Sequence, residues 1–411
     1  MSPDLSDPFG MMKTLLTIVC VLLVRLSFGQ TYALVADKLI DTKNGRVLEN
    51  PVVIVRKYKI IDINYQNHIP DSAVVIRLKG YTLLPGLMDV HTHLLADGGD
   101  YDKDLYGNSP SYRSLRAVKY LSYLLDRGVT TVRDVCSEGA GYADHDLSRA
   151  VDSGFVEGPR IIPAGKGIAA TGQYYPMASE QNWELQLPAG TQYATGKDEC
   201  IRVVREQVAH GGRWIKLYAD WGVPTFNYEE IKAIVDEARK YHVSVAAHAT
   251  SKEGIRMAIE AGVRSIEHGL AFNDSLITLA LAHHVCWCPT IAVFEYFHDP
   301  TDSIYKYLNH AYKRNLKIVM GTDIGSYPWA NNDVKELEYY VKRAGFTPMD
   351  AIKTATLNPA ELLNKNNLGQ LDKGFIADII AVKGSPAEDI TLLQNVGFVM
   401  KDGKIYKRPV N

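Results

Sequence analysis

Apolar and polar positions follow two patterns in the middle of the chain. Short apolar runs typical of buried strands cover residues 82–93, 129–136, 159–168, 213–219, 243–249, 263–269, 284–291 and 316–323. Between and after them lie segments in which apolar residues recur every three or four positions, at 111–128, 146–154, 197–212, 228–242, 253–262, 274–284, 303–315 and 334–345. The first pattern predicts strands and the second predicts core-facing helices.

Eight strands alternating with eight helices favour one architecture. The repeat predicts an α/β protein built as a closed (β/α)₈ TIM barrel over residues 81–365. An open doubly wound sheet would have fewer repeats and a glycine-rich phosphate-binding turn after its first strand. The sequence contains no GxGxxG and no Walker motif.

The segments before and after residues 81–365 show a different sequence pattern. Residues 31–80 and 366–411 consist of short β-prone runs separated by turn signals such as Asn44-Gly45 and Asp402-Gly403. No helical period precedes Pro110, so residues 31–80 are expected to form an antiparallel β unit. The simplest arrangement pairs both segments as one small discontinuous β-sandwich domain with a structural role.

The first thirty residues resemble a signal peptide. Lys13 precedes the apolar run LLTIVCVLLV, and the small residues Ser27 and Gly29 stand at the positions expected before a cleavage site. The run is too short to span a bilayer stably. Residues 1–30 therefore predict an exported, periplasmic or secreted protein with no stable membrane span after cleavage. The alternatives are an uncleaved membrane anchor and a buried N-terminal helix.

Composition narrows the class of protein further. The chain has 411 residues, 46% of them hydrophobic and 22% charged, and a formal net charge of −2. These values are those of a soluble globular protein and give no basic surface for nucleic acid. The four cysteines after residue 30 are expected to be ordinary buried thiols. The sequence does not decide between a monomer and a homo-oligomer.

Six residues that can bind metal stand near the ends of apolar runs. His91 and His93 are two positions apart in a strand, so both imidazoles face the same side and can share one divalent ion. The others are Lys216, His248, His268 and Asp323. Because a barrel gathers the carboxyl ends of its strands at one mouth, we expect all six side chains to lie together there.

These motifs resemble the amidohydrolase superfamily, in its branch of imidazolonepropionase-like proteins and Xaa-Pro dipeptidases. The resemblance covers residues 31–411 and rests on LPGLMDVHTHL, GVTTVRDV, RWIKLYAD, AAHA, SIEHG, GTDIG, NPAELL and LGQLDKGFIADI. It implies that His91 and His93 bind the more buried metal and that Lys216 is carboxylated and bridges two metals. It also implies that His248 and His268 bind the second metal, and that Asp323 is both a metal ligand and a proton shuttle.

The resemblance implies a hydrolase of a C–N amide bond in a small peptide-like or N-acyl substrate, attacked by a metal-bridging hydroxide. Two Zn²⁺ ions fit the histidine, carboxylate and carbamate ligands, and manganese, iron or cobalt are compatible with them. One alternative is a mononuclear cyclic amidase or deaminase with unmodified Lys216. Another is a catalytically inactive binding protein on the same fold.

The substrate contacts are expected just past the strand ends. Tyr218 follows Lys216 by two positions, faces the same side and is the candidate donor to the oxyanion. Further aromatic candidates are Tyr174, Tyr175, Trp221, Tyr327 and Trp329. Related dipeptidases often carry Thr-Gly-Gly-His after the third strand, whereas this chain has Thr171-Gly172-Gln173-Tyr174, which argues against a proline dipeptidase.

Overall fold

The computed structural model describes residues 30–66, 68–173, 189–221, 225–298, 302–332 and 334–409. Apart from Gln30, the predicted signal peptide at residues 1–30 lies outside the described residues, and so do Tyr174 and Tyr175. Within the described part, no helix combines the length and apolar character that crossing a membrane requires.

The strands are β1 (Thr31–Asp41), β2 (Arg46–Glu49), β3 (Val52–Arg56), β4 (Lys59–Asn64), β5 (Val74–Pro85), β6 (Leu87–Thr92), β7 (Val129–Asp134), β8 (Arg160–Pro163), β9 (Ile168–Ala170), β10 (Gln192–Ala194), β11 (Trp214–Tyr218), β12 (Ser244–Ala249), β13 (Ser265–His268), β14 (Cys286–Cys288), β15 (Ile379–Lys383), β16 (Val396–Lys401) and β17 (Lys404–Lys407). The α-helices are α1 (Tyr101–Gly107), α2 (Pro110–Asp126), α3 (Ala143–Asp152), α4 (Gly196–Ala209), α5 (Tyr228–Lys240), α6 (Lys252–Ala261), α7 (Asp274–Ala282), α8 (Ile291–Tyr296), α9 (Asp302–Lys313), α10 (Lys335–Lys342), α11 (Pro348–Thr354) and α12 (Leu357–Leu362), and a 3₁₀ helix covers Ile390–Gln394.

Both ends of the described chain contribute to one eight-stranded sheet. Its order is β17-β16-β15-β5-β1-β3-β4, with β2 paired to β1. β15 pairs with β5 in antiparallel register, placing Ala381 opposite Leu83. One face packs on a core that includes Leu34, Leu78 and Phe398. β5 and β15 thus join both ends of the described chain in one sheet. A separate β-sandwich domain over residues 31–80 and 366–411 stays a prediction.

The sheet departs from the expected antiparallel unit at β1 and β5, which run parallel. A parallel pair needs a crossover between its strands, and the chain supplies it through β2, β3 and β4. β5 also continues to Pro85, past the boundary predicted at residue 80. This long strand therefore passes directly from the eight-stranded sheet to β6 and its histidines.

The remaining strands form successive parallel pairs. One sheet has the order β6-β7-β8 and another has the order β10-β9-β11-β12-β13-β14. The Arg213 amide donates to the Pro163 carbonyl over 3.2 Å, which brings β11 beside the end of β8. On the other side, Ile318 forms a parallel bridge with Trp287, and Ile324 forms one with Thr92. The predicted eighth strand is thus present as bridges rather than as a regular strand.

Each predicted amphipathic segment contains a helix, from α2 to α7 and then α9 and α10. Because their apolar stripes face the strands, residues such as Leu121, Ile234 and Ile277 are fully buried. α1 was not expected, since its seven residues show no helical period; its first turn is capped by Asp100, whose side chain accepts from the Lys103 amide. The four cysteines in the described part are buried and free, as predicted.

Candidate functional site

Parallel strands bring the six candidate ligands to one place. His91, Lys216 and His248 lie within β6, β11 and β12, and His268 is the last residue of β13. His93 follows the end of β6, and Asp323 lies between the bridged residues Ile318 and Ile324. All six are almost fully buried and line one cavity of about 540 Å³. The expected convergence is therefore present, and the assignment of each residue as a ligand stays a prediction.

Asp323 is the centre of one half of this cluster. Its Oδ1 lies 3.0 Å from His93 Nε2 and 3.7 Å from His91 Nε2. The Asp323 amide donates to the His91 carbonyl over 2.8 Å, so the backbone fixes the carboxylate against β6. The Ser326 hydroxyl donates to the same Oδ1 over 2.7 Å. One carboxylate oxygen is thus held within reach of two imidazole nitrogens.

The other half is a group of imidazoles, inclined to one another, beside Lys216. The rings of His248 and His268 are 4.5 Å apart, and the rings of His91 and His268 are 5.0 Å apart. Lys216 Nζ lies 3.5 Å from His91 Nε2. Donor atoms of His91, His268 and Asp323 all lie within 4.8 Å of one another. Imidazole nitrogens with a carboxylate oxygen are ligands that suit zinc and similar divalent ions, so the donor set fits a metal.

A second layer of polar groups orients these histidines. His91 Nδ1 lies 2.7 Å from Glu267 Oε2, His93 Nδ1 lies 2.9 Å from Glu138 Oε1, and His268 Nδ1 lies 2.7 Å from Thr290 Oγ1. Partners on Nδ1 leave Nε2 to face the cavity, which is the arrangement typical of metal-binding histidines.

Sequence reasoning missed all three of these partners. Glu267 could have been found, because it is a charged residue inside the apolar run 263–269, and Arg133 is another inside the run 129–136. Their side chains pair across the interior, with Arg133 Nη2 at 2.8 Å from Glu267 Oε1. Glu138 and Thr290 stand in loops, where no periodic signal distinguishes them.

The backbone is strained at the same place. His268, Asp323, Glu138 and Thr290 all have φ between 49° and 67°. This left-handed conformation is uncommon for residues other than glycine and costs free energy, and it clusters at functional sites. Two candidate ligands and two residues that orient ligands are therefore held in unfavourable conformations by the surrounding fold.

Electrostatics divides the histidines into two kinds. Burial, helped by the nearby Lys216, lowers the pKa of His91 to about 3, and burial lowers the pKa of His268 to about 4. Both are neutral near pH 7 and offer a lone pair. Burial acts against the charged form of His93 too, yet Glu138 and Asp323 raise its pKa to about 10. A positive charge is thus favoured between these two carboxylates, and either a proton or a metal ion can supply it.

The pKa values of Lys216 and Asp323 are shifted in directions that suit the predicted roles of these residues. Burial lowers the pKa of Lys216, although Glu267 and Asp323 oppose the shift. Burial alone would raise the pKa of Asp323, but His91 and His93 hold it well below its ordinary value. Asp323 is therefore ionised at neutral pH and able to bind a cation or accept a proton.

The predicted substrate contacts separate into two groups. Tyr218 is buried and lines the cavity, with its ring 5.2 Å from that of His248 and 5.2 Å from Lys216 Nζ. Trp221 also lines the cavity. Trp329 does not belong there, because it is buried against Tyr120 with ring centroids 4.6 Å apart and donates to the Ala96 carbonyl.

Tyr327 belongs with Trp329 in the packed interior. It is buried and stacks on Tyr296 with ring centroids 5.5 Å apart. Among the described residues, the cavity lining includes neither Tyr327 nor Trp329. Their expected role in substrate contact is therefore corrected to core packing: large aromatic rings that follow a strand end can be buried under the loop as readily as they can face the site.

Comparison with known proteins places the chain in a family. Residues 82–406 match the Amidohydrolase family, and the chain belongs to it. Ochratoxinase from Aspergillus niger is 28% identical over an alignment of 414 positions, which covers 89% of this chain and 85% of that protein. Imidazolonepropionase from Streptococcus gordonii is 25% identical over 390 residues, covering 82% of this chain and 85% of that protein. The predicted resemblance to the imidazolonepropionase-like branch is confirmed.

Solved structures agree over nearly the whole chain. The crystal structure of a Xaa-Pro dipeptidase with methionine bound in its active site has a TM-score of 0.84 and 31% identity, and the match covers 92% of this chain and all of that one. The A. niger ochratoxinase structure has a TM-score of 0.82 at 27% identity, covering 93% and 97% of the two chains. These matches support a hydrolase that acts on carbon–nitrogen bonds.

Proposed function

We propose that this protein is a metal-dependent hydrolase that cleaves the C–N amide bond of a small peptide-like or N-acyl substrate. The observation that carries the proposal is the convergence of His91, His93, His248, His268, Lys216 and Asp323 on one cavity from separate parallel segments. We further propose that these segments close into a (β/α)₈ barrel, since the parallel pairings return through residue 324 to Thr92. The site then lies at the carboxyl ends of the strands, where such barrels place their active sites.

Four histidines and Asp323 would hold two divalent ions, with zinc as the proposed metal. When bound, the ions would lower the pKa of coordinated water and polarise the amide carbonyl. The oriented Nε2 atoms and the ionised Asp323 supply the ligands, while Glu267, Glu138 and Thr290 hold the rings in place. Tight orientation of this kind is needed because misplaced ligands lose metal affinity.

Lys216 is proposed to be carboxylated. Its amine is buried, lies 3.5 Å from His91 Nε2 and has a lowered pKa, which favours the neutral form. A neutral amine adds carbon dioxide and releases one proton, giving an anionic carbamate with two oxygen ligands. The carbamate would place an anion beside the proposed ions, where an ammonium group would be repelled by their like charge.

Asp323 and Tyr218 would carry the proton and the developing charge. Asp323 is ionised and faces the cavity, so it can take a proton from the attacking water and pass it to the leaving nitrogen. Tyr218 lies on the same strand as Lys216, two residues on, and can donate to the oxygen that becomes negative as the carbonyl is attacked. No covalent intermediate with the protein is required.

A one-metal hydrolase or deaminase is the second candidate. The compact group of His91, His268 and Asp323 would by itself bind one ion. In that case Lys216 stays unmodified and the metal content does not respond to bicarbonate. Measuring the number of metal ions per chain after reconstitution with and without bicarbonate separates the two candidates. About two ions per chain, bound only with bicarbonate, support the two-metal hydrolase. One ion per chain, bound with or without bicarbonate, supports the one-metal enzyme.

The substrate range follows from relatives and from the cavity. The crystal structure of the similar Xaa-Pro dipeptidase contains methionine in its active site. Of the two sequence relatives described above, the ochratoxinase aligns with the larger share of this chain. A cavity of about 540 Å³ suits a molecule of dipeptide size. The proposal is tested by assaying zinc-reconstituted protein against dipeptides, N-acyl amino acids and cyclic amides, before and after chelation. Hydrolysis that survives complete metal removal would contradict it.

Export is proposed together with this activity, from the leader at residues 1–30. N-terminal sequencing of the protein recovered from outside the cytoplasm tests it, with Gln30 expected as the first residue. A protein that keeps its first residues and stays in the cytoplasm would contradict export without affecting the proposed chemistry.

A further inference from the structure

Two of the candidate ligand histidines are flanked by aromatic rings that line the cavity. The indole of Trp221 stacks on His248 with centroids 4.7 Å apart and an angle of 11° between the planes. The ring of Phe294 meets His268 edge-on, with centroids 5.9 Å apart and an angle of 83°. Trp221 and Phe294 both line the cavity. The site therefore has an aromatic wall on the side proposed for the second metal.

Part of this wall is open to solvent. Trp221 is 47% exposed and Phe297, which also lines the cavity, is 57% exposed. Large apolar surface left in water is unfavourable, and where it lines a concave site it marks a place for an apolar ligand group. Phe155 is 87% exposed but does not line the cavity, so exposure alone does not define the wall.

Other residues that line the cavity are polar. Glu138 pairs with His93, and the Tyr101 hydroxyl donates to Glu138 over 2.7 Å. Asp97 also lines the cavity; it accepts from the Gly99 amide and pairs with Arg116 at 3.1 Å. Placing an apolar group against these carboxylates would remove water from them without replacing its hydrogen bonds. A substrate with one bulky apolar group is therefore oriented, with that group on the side of His248 and His268.

We propose that this protein selects amide substrates that carry an aromatic ring, which binds against Trp221, Phe294 and Phe297. The proposal rests on the proposed hydrolase function and names its substrate class. Aromatic rings differ from aliphatic groups here because a stacked or edge-to-face pair adds a preference of roughly 2- to 10-fold beyond the area buried.

The test compares matched substrate pairs with the zinc-reconstituted full chain. One pair is N-acetyl-L-phenylalanine against N-acetyl-L-alanine, and the other is N-benzoylglycine against N-acetylglycine. We expect kcat/KM to favour the aromatic member of at least one pair by about tenfold or more. Equal kcat/KM values within both pairs would overturn the proposal.

Variants locate the preference in the wall. Trp221→Leu and Phe297→Leu keep apolar character but remove the ring, and each is expected to reduce the aromatic preference roughly 2- to 10-fold. Phe155→Leu, at an exposed aromatic residue away from the cavity, is the matched control and is expected to keep the preference. A preference that is unchanged in both wall variants would contradict the assignment.

Binding separates this proposal from the hydrolase proposal. If none of the four compounds is hydrolysed, the proposed function fails for this class, and calorimetric titration of the same compounds still measures selection. Tighter binding of the phenylalanine derivative, reduced in Trp221→Leu and kept in Phe155→Leu, supports an aromatic site. Equal affinity for the phenylalanine and alanine derivatives contradicts it.

Discussion

His91 Nδ1 and Glu267 Oε2 are joined over 2.7 Å although the two residues are 176 positions apart in the chain. The same carboxylate accepts from Arg133 through Oε1 at 2.8 Å and from the Ser265 hydroxyl. Because Glu267 is completely buried, its charge depends on these partners. Burial alone would raise the pKa of Glu267, yet Arg133 and His91 hold it well below its usual range. The orientation of a candidate metal ligand thus depends on a buried ion pair.

Removing Arg133 should therefore destabilise the protein strongly. Arg133→Met leaves the Glu267 carboxylate buried without its cation, and loss of one member of such a pair costs about 3–5 kcal/mol of unfolding free energy. Urea denaturation followed by circular dichroism measures the change. Arg149→Met is the control, because the Arg149–Asp146 pair is exposed and its loss should cost at most about 1 kcal/mol. Equal stabilities for the two variants would show that the buried pair has no special role.

Glu138→Gln should weaken metal binding at His93. The amide keeps the size of the side chain but removes the negative charge 2.9 Å from His93 Nδ1, so the imidazole becomes a poorer ligand. Loss of such a partner typically reduces metal affinity about 10- to 100-fold. Competition with a chromophoric chelator measures the affinity for zinc. Glu157→Gln, at an exposed glutamate paired with Lys404, should leave that affinity unchanged; equal losses in both variants would argue against a role for Glu138.

Asp323→Asn should abolish most of the turnover. The amide cannot take up the proton, and loss of general acid–base catalysis costs about 10²- to 10⁴-fold in rate. The measurement is kcat on the best substrate, together with metal content, since Asp323 is also a proposed ligand. Asp302→Asn is the control, at a fully exposed carboxylate. A variant at position 323 that keeps full turnover would refute the proposed proton transfer.

The buried Glu336 carboxyl is expected to make the unfolding free energy depend on pH. It is buried, and its carboxylate accepts from the Ile291 and Ala292 amides at 2.9 and 2.6 Å, which start α8. Burial raises the pKa of Glu336 to about 7 from 4.5, against the effect of these bonds. Between those values the folded protein keeps a proton that the unfolded chain releases. The contribution of Glu336 to the unfolding free energy should therefore be fully present below pH 4.5, and it should be lost as the pH rises to about 7.

The matched variant is Glu336→Gln, which cannot titrate. Between pH 4.5 and 8, wild type should lose on the order of 3 kcal/mol of unfolding free energy relative to this variant. Urea denaturation at several pH values gives both curves. Parallel curves across this range would show that Glu336 does not bind a proton in the folded protein at neutral pH.

Local sequence patterns predicted the repeated elements and the six candidate ligands. Helices such as α2 and α5 were recognisable because a buried stripe needs apolar residues every three or four positions. His248 and Asp323 were recognisable because each stands near the end of an apolar run, and parallel strands bring such ends together. The short helix α1, of seven residues, escaped prediction. The segment that leads to Asp323 was predicted as a strand, whereas it forms single bridges.

The sequence by itself determined which residues are apolar, which can bind a metal and which face of each strand they share. Only the tertiary structure decided that Arg133 pairs with Glu267, that Thr290 bonds His268, that β1 runs parallel to β5 and that Trp329 is buried. Periodicity is a property of neighbouring residues, so it can be read along the chain. These partnerships join residues that are distant in the chain, and their energies depend on burial and distance, which exist only once the segments have packed together.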